Sequence, residues 1–177
     1  RQGQEHEGDT WVLNWLEEAV KTTLTKNDSS TTDSQVLFSP GLECKNVIIS
    51  RLRNAINEIL ICVFTISDNE ITAAIIEAHR KGRRVHIITD KDKIHDRGSD
   101  VLRLKEAGIP IKVEATECHM HHKYALFDNE WLLTGSYNWT RSAAFINYEN
   151  VLLTQEKSAI RNYSNEFKRL WQKLPSL

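Results

Sequence analysis

From residue 35 onward the chain alternates between two spacings of apolar side chains. Four short apolar runs, rich in branched residues, have the length of strands and lie at 35–39, 59–64, 83–90 and 109–114. Three longer stretches place apolar residues at every third or fourth position, as amphipathic helices do, and lie at 44–57, 67–81 and 100–107. This β-α-β-α-β-α-β succession favours a mostly parallel sheet packed between helices.

Residues at the ends of these segments sharpen the prediction. The run 59–64 is apolar throughout, which is typical of a central strand buried on both faces. Ser67 and Glu70 have the spacing of a capping box, so the second helix is expected to start there and to end before Gly82. The inward face of the first helix is expected to carry Val47, Ile48, Leu52 and Ile56.

The regular alternation of strand and helix patterns ends after residue 114. The elements predicted beyond it are a strand at 119–127, a turn at Asp128 and Asn129, strands at 131–134 and 149–153, and a helix over 155–173. The two strands around the turn would form a hairpin. The predicted fold class is therefore α/β, with a mixed, mostly parallel sheet flanked by helices on both faces.

The beginning of the chain is a separate segment. Apolar residues recur at helical spacing over 11–24, behind the capping residue type Asp9, which predicts an amphipathic helix. A linker rich in Ser, Thr and Asp follows at 27–34. We therefore divide the chain into a helix with its linker, 1–34, and one globular domain, 35–177. The apolar stripe of the helix could cover the domain, a partner or a membrane surface.

The composition is that of an ordinary globular protein. The 177 residues are 40% hydrophobic and 27% charged, enough to bury a core without disulfides or metals. The formal net charge is −1 and the pI is near 6.7, so the chain has no overall basic field for nucleic acid or an anionic membrane. Any polyanion would have to be bound locally.

The cysteines and the apolar runs bear on the compartment. Cys44, Cys62 and Cys118 are odd in number and scattered, unlike a disulfide framework, which favours a reducing compartment such as the cytoplasm. No apolar run approaches the roughly 20 residues that span a bilayer. The printed chain begins at Arg1 rather than Met, which leaves room for a targeting segment or anchor removed ahead of it.

Three histidines and a lysine lie within five positions, at His119, His121, His122 and Lys123. On a strand, alternate side chains point to opposite faces, so His119, His121 and Lys123 are expected to share one face while His122 points into the protein. A zinc ion needs three or four ligands that converge tetrahedrally, and these neighbours are too close in sequence for that. We predict no metal and no cofactor, although a ligand from a distant cysteine such as Cys44 stays open.

The histidines belong to a longer motif with the intervals HxKx4Dx6GSxN. Its residues are His121, Lys123, Asp128, Gly135, Ser136 and Asn138. Every interval matches the signature of the phospholipase D superfamily, which the chain resembles over 35–177. The chain is most similar to small members with a single motif, namely metal-independent bacterial nucleases and mitochondrial Zucchini-type phosphodiesterases. It lacks the cysteine-rich insertion of the second group, so their zinc site is not carried over.

The resemblance implies an enzyme that hydrolyses phosphodiesters. A neutral His121 is expected to attack phosphorus and form a phosphohistidine. Lys123 would supply positive charge to the nonbridging oxygens, and Asn138 would donate a hydrogen bond to them. Ser136 lies in a Gly-Ser turn whose hydroxyl and backbone donors can also contact phosphate. Together such groups can replace a metal ion.

Further residues receive expected roles from the resemblance and from their positions. The resemblance implies a structural role for Asp128, and for Glu149 it implies a hydrogen bond from the second ring nitrogen of His121. The residues predicted to bind substrate lie beside the motif or in a loop after a strand, and they are Gly135, Trp139, His119 and His95.

The chain contains the full HxKx4Dx6GSxN motif only once, although the reaction needs two histidines. In-line displacement requires the nucleophile and the proton donor on opposite sides of phosphorus. We predict a homodimer joined through the active-site face, in which His121 attacks and His121 of the partner subunit protonates the leaving oxygen.

The motif does not distinguish nucleic acid from phospholipid, because both contain the same diester. A nuclease needs a cationic groove, and the candidates to line it are Arg80, Lys81, Arg83, Arg84, Lys91, Lys93, Arg97 and Arg141. We expect an endonuclease that acts on single-stranded nucleic acid. The alternatives are a phospholipase D or cardiolipin hydrolase that acts at a membrane, and a catalytically silent scaffold of the same fold.

Overall fold

The computed structural model describes residues 15–17, 20 and 33–177. The chain divides into two compact units, Arg1–Thr32 and Asp33–Leu177. In the first unit the described residues are helical, and Trp15 and Val20 are exposed. The rest of the predicted N-terminal helix and nearly all of its linker lie outside the described residues. None of the helices in the described part of the chain has the length and hydropathy of a membrane span.

The second unit contains seven strands and five helices among the described residues. The strands are β1 (Ser34–Phe38), β2 (Glu58–Val63), β3 (Arg84–Asp90), β4 (Ile111–Glu114), β5 (Lys123–Phe127), β6 (Trp131–Gly135) and β7 (Asn150–Thr154). The helices are α1 (Glu43–Asn54), α2 (Asn69–Arg80), α3 (Val101–Glu106), α4 (Arg141–Phe145) and α5 (Lys157–Lys173), and a 3-10 turn covers Lys91–Lys93.

The strands form one sheet in the order β1-β7-β6-β5-β2-β3-β4. The mixed α/β class is confirmed, but the prediction of a mostly parallel sheet is wrong. Among the described strands only β2-β3 and β3-β4 pair in parallel, while the other four neighbouring pairs are antiparallel. The reason is that β1 pairs with β7 at the far edge, and the hairpin of β5 and β6 places β5 antiparallel beside β2.

Helices cover both faces of the sheet, as predicted. On one face, α1 to α4 pack on the sheet through residues such as Ile48, Ile75 and Leu104. On the other face, α5 packs through Ile160 and Phe167. The central strands between them are buried on both sides, which is why β2 is apolar from Ile59 to Val63.

Several predicted boundaries differ from the structure. Because α1 ends at Asn54, Ile56 lies beyond it and is 71% exposed instead of buried. The cap of α2 is Asp68, not Ser67, and its carboxylate accepts the N–H groups of Glu70 and Ile71. The short helix α4 has no counterpart in the sequence prediction.

The turn between β5 and β6 is fixed by Asp128. Asp128 and Asn129 both have a φ of 55°, as the left-handed residues of a tight hairpin turn require. The Asp128 carboxylate accepts the backbone N–H groups of Ile56, Asn57 and Glu58 at 2.7–2.9 Å. Partial burial disfavours the charged carboxylate, but these N–H donors outweigh burial and hold the pKa of Asp128 below its ordinary value.

We expect Asp128→Ala to lower the free energy of unfolding by about 2–4 kcal/mol, because three N–H groups lose a charged acceptor at once. Chemical denaturation monitored by circular dichroism measures this loss. Glu130→Ala is the control, because Glu130 is exposed in the same hairpin and its side chain makes no hydrogen bond or ion pair among the described residues, while its backbone N–H donates to the carbonyl of Phe127. Equal stability of the two variants would contradict the structural role of Asp128.

Candidate active site

The residues of the motif meet at one end of the sheet. Lys123 opens β5 and pairs with Val63, the last residue of β2. Gly135 closes β6 and pairs with Val151, near the start of β7. Loops that follow β2, β3 and β6 therefore surround the first residues of β5, which is where polar side chains from distant parts of the chain converge.

His121 and Lys123 are in direct contact at this end. The Lys123 Nζ lies 3.1 Å from His121 Nδ1 and donates to the His121 carbonyl at 2.7 Å. The predicted strand from residue 119 is wrong, since β5 begins only at Lys123. Met120 N donates to the Asp90 carboxylate instead of a neighbouring strand. His122 is exposed, so the expectation that it points into the protein is also wrong.

The surroundings of His121 favour its neutral form. Burial and then the charge of Lys123 lower the pKa of His121, and the carboxylate of Asp90 opposes them. Burial also lowers the pKa of Lys123, and the carboxylate of Glu149 acts against that change. A neutral imidazole has a free lone pair on one ring nitrogen, which is the form that can act as a nucleophile.

Ser136 and Glu149 form a hydrogen-bonded pair beside the turn after β6. The Ser136 hydroxyl donates to Glu149 Oε2 at 2.5 Å, and Asn147 Nδ2 donates to Glu149 Oε1 at 3.0 Å. Asn150 N in turn donates to Ser136 Oγ at 3.1 Å. The implied hydrogen bond from the ring of His121 to Glu149 is absent among the described residues, where Ser136 and Asn147 are the donors to this carboxylate.

Asn138 is the polar group of the motif that the fold uses least. Its side chain is half-buried, and its Oδ1 has no hydrogen-bond partner among the described residues. Its backbone carbonyl accepts from Thr140 N at 2.8 Å, which fixes the turn. A buried amide oxygen without a partner calls for an explanation, and a role with a bound molecule would supply one.

Trp139 and Gly135, which were predicted to bind substrate, have roles in the packing of the fold. Trp139 is 0% exposed and packs in the core, so the prediction that it contacts substrate is wrong. Its backbone pairs with that of Ile66 in an isolated bridge. At Gly135 a Cβ atom would collide with the carbonyl of Asn150, so glycine is needed there for the close approach of β6 and β7.

His119 lies at the edge of the site, whereas no contact joins His95 to it in the described residues. The Nδ1 of His119 is 3.3 Å from Asp90 Oδ2 and 3.7 Å from Asp92 Oδ2. One ligand atom from each of these three residues lies within 4.8 Å of the others, a spacing that could hold a cation. Asp90 already accepts the N–H groups of Asp92 and Met120, so its carboxylate is satisfied without an ion.

Phe64 is a site residue that sequence reasoning missed. Its ring centroid lies 4.8 Å from that of His121, 5.4 Å from Lys123 Nζ and 5.1 Å from Lys93 Nζ. Phe64 is the last residue of the apolar run 59–64 and directly follows β2. This position is the one sequence signal that could have identified it. The ring shields one side of the histidine from water and attracts both cations.

The sequence matches a family model and several curated proteins. A family model described as "Cardiolipin synthase, PLD-like domain" matches residues 48–171. The mitochondrial cardiolipin hydrolase of Chlamydomonas reinhardtii is 42% identical over 68% of this chain and 54% of its own length. The mitochondrial cardiolipin hydrolase of Homo sapiens is 31% identical over 92% of this chain and 73% of its own length.

Solved structures share the fold at low identity. Nuc, a phospholipase D family member from Salmonella typhimurium, superposes with a TM-score of 0.77 at 22% identity, over 82% of this chain and 98% of its own. NucT from Helicobacter pylori gives a TM-score of 0.76 at 21% identity, over 82% and 99%. The chain spans a little over half the length of several of the curated relatives it matches, from 53% to 60% in the first four.

Proposed function

The chain belongs to the phospholipase D-like family, as its motif predicts, and on that premise we propose that it hydrolyses phosphodiesters with His121 as the nucleophile. The observation that carries the proposal is the 3.1 Å contact between His121 Nδ1 and Lys123 Nζ at the sheet end where the motif converges. A cation so close favours the neutral imidazole and is also positioned to bind the anionic diester.

The reaction has two steps. Lys123 turns from His121 Nδ1 to the anionic diester, and the unprotonated ring nitrogen that it releases attacks phosphorus and forms a nitrogen–phosphorus bond, while the bond to the leaving oxygen breaks and that oxygen takes a proton from an imidazolium. A water molecule then attacks the phosphohistidine, loses its proton to the same second imidazole and releases His121. Lys123, Asn138 and Ser136 would stabilise the charge that develops on the nonbridging oxygens.

The second imidazole comes from a second copy of the chain. Attack and departure occur on opposite sides of phosphorus, and His121 is the one histidine of the motif. Two copies that meet through the active-site face would bring His121 of the partner subunit to the far side of the diester. The site lies at an end of the sheet where loops are exposed, so such a contact requires no rearrangement of the core.

For the substrate, we favour a phospholipid over a nucleic acid. The relatives that are 31–42% identical include proteins named mitochondrial cardiolipin hydrolase, and a relative from Rickettsia prowazekii is named phospholipase D. Four of the cations expected to line a nucleic-acid groove lie near the opposite end of the sheet, about 17 Å from the site by strand length. These four are Arg80, Lys81, Arg83 and Arg84.

Single-stranded nucleic acid is the second candidate, on the evidence of Phe64. An aromatic ring beside two lysines is an arrangement that stacks a base and binds the adjacent phosphate. Lys93 and Lys123 provide the two cations around that ring.

The test measures turnover on three substrates in parallel, with and without EDTA. The protein is incubated with cardiolipin-containing vesicles, labelled single-stranded DNA and labelled single-stranded RNA. We expect hydrolysis of cardiolipin that resists EDTA, because the proposed groups act without a metal. Activity that EDTA removes and zinc restores would overturn the metal-free mechanism. No turnover on any substrate would favour the scaffold alternative.

A further inference from the structure

An exposed apolar surface lies beside the proposed site. Among residues 33–177, eight large apolar side chains are exposed, and five of them lie in the two neighbouring segments 38–42 and 145–148. We call these five residues the apolar rim, and they are Phe38, Leu42, Phe145, Ile146 and Tyr148. Single exposed apolar residues are normal, but a cluster of this kind marks a surface that contacts something other than water.

The two segments of the apolar rim are held together by the backbone. Gly41 N donates to the carbonyl of Ala144 at 2.9 Å, and Ser39 N donates to the carbonyl of Glu149 at 3.0 Å. The Ser39 hydroxyl donates to the carbonyl of Asn147 at 2.9 Å. The rim is therefore a fixed feature of the fold, built from the end of β1 and the loop after α4.

The chemistry of the apolar rim fits a lipid bilayer. No charged residue occurs between Ser34 and Leu42 or between Ser142 and Tyr148. Tyr148 is 92% exposed and Ile146 is 74% exposed, so these side chains project from the surface and do not lie flat on it. Projecting apolar side chains can insert into the fluid acyl chains of a bilayer without preformed pockets. A protein partner would have to supply a pocket for each of these side chains.

One exposed cation lies beside the apolar rim, where anionic headgroups would be. Arg141 is exposed at the start of α4, and among the described residues it makes no ion pair within 4 Å. Lys45 Nζ lies 5.7 Å from the ring centroid of Phe145, but this lysine is buried and pairs with Glu70 at 2.7 Å, so it is not available to headgroups. Cations close to a membrane surface add to the attraction for anionic lipids.

The position of the apolar rim relative to the site matches the depth of a phosphodiester in a bilayer. Tyr148 directly precedes Glu149, and Phe38 pairs with Asn150, whose N–H holds Ser136. Insertion of apolar side chains by about 5–10 Å reaches the boundary of headgroups and acyl chains. The polar residues just behind the rim would then lie at the level of the headgroups.

A second copy of the chain can bind without covering the apolar rim. The rim lies at the β1 edge, whereas Lys123 begins β5, three strands further along the sheet. Neighbouring strands are about 4.8 Å apart, so the two features are separated by roughly 14 Å. The dimer contact and the lipid contact can therefore use different parts of the same sheet end.

We propose that the apolar rim inserts into the surface of a phospholipid bilayer and presents the headgroup diester to the site around His121. This inference rests on the lipid version of the proposed function. It adds the surface that would bring an enzyme with a net charge of −1 to an anionic membrane. Partitioning of two large apolar side chains is sufficient for a tenfold change in binding.

The test compares two variants in sedimentation with vesicles of cardiolipin and phosphatidylcholine. The double variant Ile146→Ser and Tyr148→Ser is expected to bind vesicles at least tenfold more weakly than the unmodified chain. Ile56→Ser is the matched control, because Ile56 is 71% exposed near the opposite end of the sheet, and it should bind normally. Equal binding by the double variant, or no binding by the unmodified chain, would overturn the proposal.

Two further measurements separate this proposal from the proposed function. Vesicle binding is repeated with His121→Ala, which should bind normally even though it does not turn over. Hydrolysis of the soluble diester bis(4-nitrophenyl) phosphate should be unchanged in the double variant, as should its mass by light scattering. Monomers that have lost both activities would show that the apolar rim joins two copies, and the lipid proposal would fail. Binding without turnover by any chain would defeat the proposed function alone.

Discussion

Replacing His121 with alanine is expected to abolish hydrolysis, with a fall in kcat/KM on the order of 10⁴ or more. In the proposed dimer the substitution removes the nucleophile from one side of the diester and the proton donor from the other. Steady-state hydrolysis of a soluble diester measures the effect without any dependence on membrane binding. His122→Ala is the control, because this adjacent side chain is exposed and should be dispensable.

Mixed dimers test whether two subunits share the site. If inactive His121→Ala chains are mixed in equal amounts with unmodified chains and exchange freely, about one quarter of the dimers retain both imidazoles. A shared site then predicts about one quarter of the activity that the same total amount of unmodified chain would have. If each chain carried a complete site, about one half would remain, and that result would remove the need for the second copy.

The contact between His121 and Lys123 could be predicted because it depends on a short interval. His121 and Lys123 are separated by one residue, so any extended backbone brings their side chains to the same side. The contact of 3.1 Å required no knowledge of the sheet. The turn at Asp128 and Asn129 is equally local, since it depends on two residues that tolerate a positive φ.

Predictions that depended on distant pairing were less successful. The alternation of strands and helices suggested parallel neighbours, but the partner of β1 is β7, more than 100 residues away. Neither spacing nor propensity specifies that choice. The predicted strand at 119–122 failed for a similar reason, because the buried carboxylate of Asp90 takes the N–H of Met120 that a ladder would have used.

Which aromatic residue lies at the site depends on burial in the folded chain. The sequence alone does not specify that burial. Trp139 follows the motif directly and has the side chain expected of a stacking residue, yet it fills the core. Phe64 closes an apolar run and was expected to be an ordinary strand residue, yet its ring lies against His121. Both outcomes depend on where β2 ends relative to β5, which is a property of the assembled sheet.

Replacing Lys123 with methionine is expected to lower kcat/KM by a factor on the order of 10²–10³ and to change its pH dependence. The rate falls because the nonbridging oxygens lose a fixed positive charge. The profile changes because the charge of Lys123 is one of the causes that lower the pKa of His121. Without that charge the imidazolium is easier to form, so the pKa of His121 rises.

The direction of the change in the profile follows from the form of His121 that reacts. The nucleophile must be neutral, so kcat/KM on the acid side rises with pH through the pKa of His121 in the free enzyme. A higher pKa in Lys123→Met moves this acid limb to higher pH. Lys93→Met is the control, because Lys93 lies beside the same Phe64 ring but makes no hydrogen bond to His121 in the described residues, so its acid limb should not move.

Lys123→Arg separates the two roles of the lysine. Arginine keeps the positive charge, so the acid limb of kcat/KM should stay close to that of the unmodified chain. The larger planar group cannot occupy the same 3.1 Å position against the imidazole, so the rate should still fall. An acid limb that is unmoved in Lys123→Met, or that moves to lower pH, would show that this lysine does not control the protonation of His121. The role of Lys123, which lies 3.1 Å from His121, would then be limited to binding the diester.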